Sequence, residues 1–440
     1  MLLEFRVSNF RSIRDEQVLS LAASSSDKGL GETHLASTGL KSLPSAVRSA
    51  VVYGPNASGK STLLLALHYM RAVVVESATV IQPGQSYNVQ PFKLDEEFAK
   101  KPTEFELSFL LDGVRHQYSF SMTQKRIVSE SLLVYRTSKP TQWFSRRSKD
   151  DGESYEYDFS TQLTGPRKLW QESTRPNALF LSTAAQLNSD LLGPVFRWIA
   201  ESFVFLPAGA IGNPDFTTAL LATSEGRATI RDFLSAADVS IADVEAVPRK
   251  GFQAHFVFNA DDAPQASRKE SEILMPVFQH STPKGSAKFE LNEESEGTQR
   301  LYGLIAPMVD VLNKGRILFV DELDRSLHTL LVRRLIGMFH DPALNKKGAQ
   351  LIFSTHDTSL LDHTLFRRDQ IWFTEKDSDQ ATHLYPLSDF GPRKHEAWER
   401  GYLMGRYGAV PFFTELPDIL KHTSSRGALA QSSPSGLTAA

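Results

Sequence analysis

A phosphate-binding loop needs main-chain N–H groups that curl inward, a cation that reaches the terminal phosphates, and a hydroxyl that joins a Mg²⁺ shell. Gly54-Pro55-Asn56-Ala57-Ser58-Gly59-Lys60-Ser61 supplies all three at the spacing G-x-x-x-x-G-K-[ST]. The glycines free the backbone to form an anion nest, and the positive end of a following helix faces the phosphates. Asn56, Gly59, Lys60, Ser61 and Thr62 are the expected ATP contacts, with Lys60 on the β- and γ-phosphates and Ser61 on Mg²⁺. Two further stretches carry chemistry that such a loop requires. Ile317-Leu318-Phe319-Val320-Asp321-Glu322 is an apolar strand ending in two carboxylates. At the carboxyl end of a parallel strand, Asp321 would hold Mg²⁺ directly or through water, and Glu322 would act as general base. Leu351-Ile352-Phe353-Ser354-Thr355-His356 ends a second buried strand on a histidine placed to meet the γ-phosphate or the attacking water. Either carboxylates or histidine alone would be an ordinary strand end; the phosphate loop gives them a shared purpose.

Upstream lies Glu293-Glu294-Ser295-Glu296-Gly297-Thr298-Gln299, before a helix whose Leu301, Ile305, Val309 and Leu312 share one face. Ser295 or Thr298 would cap that helix. The same hydroxyl, glycine and helix N-terminus would also make a γ-phosphate-binding surface.

These groups must be positioned by alternating strands and helices. Ala50 to Tyr53 reads as a buried strand before the loop, and a helix from Ser61 to about Val75 follows it. Leu3, Phe5 and Val7 open the chain as a half-buried strand, with a second around Gln17 to Leu19. Residues 22 to 47, rich in Ser, Gly, Thr and Lys, read as a long loop. From Val89 the pattern turns β-rich, with a hairpin at Asp112-Gly113 and another whose charged tip is Asp150-Asp151-Gly152. Residues 176 to 260 read as mainly helical, and Ile273 to Phe278 with Lys288 to Leu291 as strands returning to the ATPase core. The expected fold is α/β: a P-loop ATPase head with a mixed sheet, an antiparallel β subdomain and a helical insertion. The expected division is residues 1–90 and 281–421 for the head, 91–280 for the insertion and 422–440 for a disordered tail.

A length of 440 residues is too great for one ordinary core. Apolar content of 41% and charged content of 22% are those of a globular protein, and a net charge of −3 gives no global pull toward nucleic acid or membrane. The absence of cysteine excludes disulfides, thiolate metal sites and a cysteine nucleophile. No apolar run approaches the roughly 18–20 residues that span a bilayer, and Met1 to Arg6 does not read as a signal peptide, so a cytoplasmic, non-membrane protein is expected.

Taken together, Asn9-Phe10-Arg11-Ser12, the phosphate loop, Pro91-Phe92, Glu294 to Thr298, Asp321 to His328 and Ser354 to Asp357 resemble the ABC-class ATPases of the SMC and RecF branch. Arg368 to Trp372 and Gly401 to Pro411 narrow the resemblance to short prokaryotic ATPases of the overcoming-lysogenization-defect-like and RloA type, among them the ATPase subunit of the PARIS anti-phage system. The resemblance implies an ABC-type head that dimerises head to head around two ATP molecules. It implies that Ser295 and Gly297 act in trans, that Gln90 senses Mg²⁺ or γ-phosphate, and that Arg11 lies near the nucleotide. Asp324 would lie at the dimer seam and His356 would be the switch histidine. Ser-Glu-Gly-Thr-Gln, in place of the transporters' Ser-Gly-Gly-Gln, argues against a transporter subunit. The interval from phosphate loop to signature holds roughly 230 residues without heptads, so a long coiled-coil arm is not expected. The leading expectation is a switch in bacterial anti-phage defence, forming a homo-oligomer with a separate nuclease-like effector and answering a phage trigger protein. A RecF-like repair ATPase that binds DNA directly is the alternative, and an ATP-binding scaffold with negligible turnover is a third.

Overall fold

The computed structural model describes residues 1–149, 154–237, 241–257, 265–392 and 396–411. The expected tail, the charged tip at residues 150–152 and Phe412-Phe413 lie outside the described residues. A six-stranded sheet runs in the order Phe203–Leu206, Ile317–Val320, Gln350–Ser354, Ser49–Tyr53, Ile371–Lys376 and Thr382–Pro386. The first five strands are parallel and the last is antiparallel. A parallel sheet covered on both faces needs strands that are apolar throughout, and the three central strands are buried at every residue.

The period-2 alternation of a strand divides those residues between two cores. Ala50, Val52, Ile317, Phe319 and Ile352 face one cluster, which includes the helix Lys60–Glu76. Val51, Tyr53, Leu318, Val320, Leu351 and Phe353 face the other, which includes the helices Glu296–Lys314 and Thr329–His340. The first core is closed by a seven-stranded antiparallel sheet that runs from Tyr155–Phe159 through Thr103–Leu111 to Leu2–Ser8 and Gln17–Ser20. Leu2–Ser8 therefore pairs across the expected division at residue 90. The two-residue turn at Asp112-Gly113 has φ 50° and 75°, the left-handed pair that a tight hairpin requires. The mixed sheet, the antiparallel subdomain and the intervening helices agree with the α/β expectation.

Three local expectations are corrected. Residues 22–47 contain a helical turn, Gly31–His34, and the hairpin Leu35–Leu40 with Leu43–Val47, in which Ala36 and Ala46 are buried behind polar neighbours. Within the span read as mainly helical, Phe203–Leu206 joins the parallel sheet and Asp243–Val257 is a strand. A four-residue apolar run next to a helix is too short for periodicity to separate the two states. Gln265–Thr282 and Gly285–Glu290 do not enter the central sheet; with Asp243–Val257 they form a separate three-stranded sheet. At the other end of the chain, Trp398, Tyr402 and Tyr407 are buried, and Phe373 stacks on both tyrosines. Leu403 and Met404 remain exposed.

Where the strand Ser49–Tyr53 begins, two buried histidines pack ring against ring, with centroids 3.7 Å apart and planes tilted by 30°. His340 Nε2 meets the Ser49 hydroxyl at 2.9 Å, and His34 Nε2 lies 2.9 Å from the Leu365 carbonyl. Burial lowers the pKa of both rings, and at His340 the neighbouring His34 adds to it. A depressed histidine stays neutral in the folded state while its unfolded counterpart takes up a proton, so stability is lost as pH falls below about 6.5. Unfolding free energy is expected to drop by up to about 1.4 kcal/mol per such histidine for each pH unit below that value. Denaturant titrations between pH 7.5 and 5 read this slope, and His340→Gln should flatten it. An equal slope in wild type and variant would remove the pair from the acid response.

Candidate functional site

The parallel strands Ser49–Tyr53, Gln350–Ser354 and Ile317–Val320 are neighbours, so their carboxyl ends deliver three segments to one edge of the sheet. The first continues into the phosphate loop. Gly59 has φ 114°, and a Cβ there would fall 2.3 Å from the Thr382 hydroxyl, so loop and neighbouring strand approach as only glycine allows. Leu63 N is the first of the helix's N–H groups to bond within it, to Gly59 O at 3.0 Å. The N–H groups of Lys60, Ser61 and Thr62 are therefore left facing out of the end of a 17-residue helix, which fits an anionic phosphate. Lys60 Nζ donates to the Gly54 and Pro55 carbonyls at 2.8 and 3.0 Å, curled back over its own loop. Burial lowers its pKa, while Asp321, Glu322 and Asp324 act in the opposite sense.

The loop is braced from outside by hydroxyls that sequence reasoning missed. Thr382 Oγ1 donates to the Ser58 carbonyl and lies 2.9 Å from the Ser12 hydroxyl, which in turn meets Thr62 Oγ1 at 3.2 Å. Ser58 and Thr374 hydroxyls meet at 2.7 Å. No local pattern marks Thr374 or Thr382; only Ser12 stands within a motif.

The second segment holds the carboxylates. Asp321 is buried, and one of its oxygens accepts from the Ser354 hydroxyl. The same Ser354 oxygen accepts from Glu322 N at 2.8 Å. Ser354 thus ties the Asp-Glu strand to the histidine strand. Glu322 has φ 55°, a left-handed conformation that costs a non-glycine residue about 1–2 kcal/mol, and its side chain is partly exposed. Ser61 and Asp321 both line a cavity of about 370 Å³ whose other walls are largely apolar, among them Leu64, Phe205 and Phe319, so hydroxyl and carboxylate border one space.

His356 ends the third segment. Its pKa is lowered first by partial burial and next by the Lys60 charge, against the pull of Asp324, Glu322 and Asp321. Lys60, Asp321, Glu322 and His356 therefore share one electrostatic neighbourhood. Asp324 belongs to it as well: its Oδ2 accepts from His356 N at 3.3 Å, which turns this side chain inward within its own head.

Asn56 and Ser61 are exposed on the loop. Arg11 N donates to Gln90 O at 2.8 Å, so these two residues sit together beside Ser12, though neither side chain hydrogen-bonds another described residue. Ser295 caps the helix Glu296–Lys314, accepting from Thr298 N at 3.1 Å. At Gly297 a Cβ would fall 2.7 Å from the Ser326 carbonyl, and Glu296 lies 3.9 Å from Arg325. The signature thus packs on the loop that follows Glu322, and no described contact joins it to the phosphate loop of the same chain. Arg300 is the main residue that sequence reasoning overlooked: it is buried, and Nη2 donates to the Glu322 carbonyl at 3.4 Å.

Among solved structures, 70 chains match. One is an SMC head domain from Thermotoga maritima, 15% identical, with 88% of this chain and 98% of that chain covered at a TM-score of 0.39. No curated protein matches the sequence. Residues 49–362 match the family model described as "AAA domain, putative AbiEii toxin, Type IV TA system". That span takes in most of the chain, including the phosphate loop, Asp321, Glu322 and His356, and the chain belongs to this family of AAA-domain ATPases.

Proposed function

We propose that the protein binds ATP with Mg²⁺ and hydrolyses it in a composite site between two ABC-type heads, as the switch of a bacterial defence or toxin system. The observation that carries this reading is the delivery of the phosphate loop, the Asp321-Glu322 pair and His356 by three adjacent parallel strands. Lys60 leaves its loop carbonyls for the β- and γ-phosphates, and Ser61 with Asp321 holds the cation. Glu322 takes the proton of the attacking water, and a neutral His356 orients that water or the γ-phosphate. Mg²⁺ held there would supply charge neutralisation of the phosphate oxygens. Arg11 and Gln90, joined through their main chains, would contribute at the edge of the site, with Gln90 sensing Mg²⁺.

A signature that packs away from its own phosphate loop supports its use in trans, by a second copy of the chain. The family's description names a toxin and a type IV toxin–antitoxin system, which favours control of a harmful effector over repair of DNA. The effector is a separate protein, such as a nuclease, and a phage protein is the trigger. The exposed Arg400, Leu403 and Met404 offer an edge of the head for such contacts.

Ser295→Arg places a long cation where the partner's γ-phosphate would dock. Light scattering with ATP and Mg²⁺ should show loss of head engagement, while ATP binding by single heads stays near wild type. Turnover should fall by about 10²-fold, in keeping with loss of one set of preorganised donors. A fully active Ser295→Arg protein would exclude the trans arrangement.

A further inference from the structure

Three arginines are buried among the described residues, and two of them are matched by acid. Arg367 is held by Asp369 through Nε and Nη2 at 2.9 and 2.7 Å. Arg146 lies 3.8 Å from Glu130 and covers the Tyr155 ring at 3.9 Å. Arg300 differs. Its guanidinium has only main-chain acceptors, Ala210 O and, at 3.4 Å, Glu322 O. No carboxylate oxygen lies within 4.0 Å of it among the described residues. Its Nε is buried without an acceptor, and two residues beyond the Glu322 that it bonds, Asp324 Oδ1 is buried without a donor. Glu322 and Asp324 are the carboxylates whose charge it feels, although burial and Arg325 outweigh them and lower its pKa. A buried cation without a carboxylate is costly, and replacing it with an apolar side chain of similar shape is commonly neutral or stabilising.

We propose that Arg300 is a positioning residue that transmits the state of the signature to Glu322, resting on main-chain carbonyls in this conformation and closing onto Asp324 when two heads engage around ATP. Arg300 lies five residues beyond Ser295 on one helix, about 7.5 Å along its axis, so a rigid shift of the signature moves both together. Its bond to the Glu322 carbonyl then acts on a residue already held at a left-handed φ of 55°. Asp324 in turn accepts from His356 N, so the closing pair would draw the base and the switch histidine into register at the same moment. The unpaired Nε and Oδ1 are the two halves of the contact that this conformation leaves open.

This inference rests on the ATPase reading above, and wild type with Lys60→Ala as references keeps the two separable. Arg300→Met preserves length and apolar contact while removing the charge. The expected result is an unchanged or raised Tm, ATP affinity and KM within about twofold, and kcat reduced roughly 10-fold or more. Arg300→Lys should recover part of kcat. Asp324→Asn should lower kcat similarly, and the double variant Arg300→Met with Asp324→Asn should be no slower than the worse single variant. Wild-type kcat in Arg300→Met, or additive losses in the double variant, would overturn the inference. So would a Tm loss large enough to account for the missing activity. Absence of turnover in wild type would strike the ATPase reading itself.

Discussion

Lys60→Ala is expected to abolish tight ATP binding while leaving the fold intact. The lysine is the phosphate loop's own cation, and its ammonium is held by the Gly54 and Pro55 carbonyls. Those neutral acceptors are weaker partners than phosphate oxygens, so exchanging them for the β- and γ-phosphates is favourable. Alanine leaves the same phosphates in a partly buried nest with their charge unmatched. Losing one partner of a desolvated charge pair costs about 2–5 kcal/mol, or roughly 30- to 4000-fold in Kd. Isothermal titration with ATP and Mg²⁺ measures this directly. The Ser58–Thr374 and Thr382–Ser12 hydroxyl braces do not involve the lysine, so Tm should change little. A Kd within error of wild type would show that the nucleotide sits elsewhere.

Glu322→Gln is expected to do the reverse, retaining ATP and losing turnover. Glutamine keeps the size of the side chain and, at φ 55°, faces the same strain as glutamate. The Glu322 N bond to Ser354 Oγ is main chain on one side and survives the change, so Asp321 keeps its place. What disappears is a group that can accept a proton. A positioned base contributes about 10²- to 10⁴-fold, and kcat should fall by that factor. If two heads engage around ATP as proposed and part on hydrolysis, the variant should accumulate as an ATP-bound assembly, visible as a rise in mass by light scattering. Turnover at the wild-type rate would remove Glu322 from the mechanism and leave His356 or another group as base.

Both predictions rest on residues that are legible in the amino-acid sequence itself. The phosphate loop is legible because its chemistry is local: backbone freedom, cation and hydroxyl must lie within eight consecutive positions. Asp321, Glu322 and His356 are legible because a doubly covered parallel strand must be an unbroken apolar run, and its ligand end is where that run stops. Ser295 is visible as a helix cap for the same local reason, since its acceptor role is played within three residues.

The supports of those residues are not legible. Thr382 and Ser12 are 370 positions apart, Thr374 and Ser58 are 316, and Ser354 and Asp321 are 33. Thr374 and Thr382 are common hydroxyls in ordinary settings, and in all three pairs only the order of strands in the sheet brings the partners together. The strand Leu2–Ser8 shows its alternation plainly, but nothing in seven residues states that its neighbour will be Thr103–Leu111. Phe203–Leu206 is hidden by the helix before it. Arg300 is the sharpest case. An arginine four residues into a helix reads as a solvated charge, and only the packing of that helix against the Glu322 turn buries it. The groups proposed to meet phosphate and metal are thus specified by short spacings and strand ends, which can be found in the chain itself. What holds and couples those groups is set by the packed fold, because a side chain's burial and partners are properties of surfaces joined across hundreds of residues.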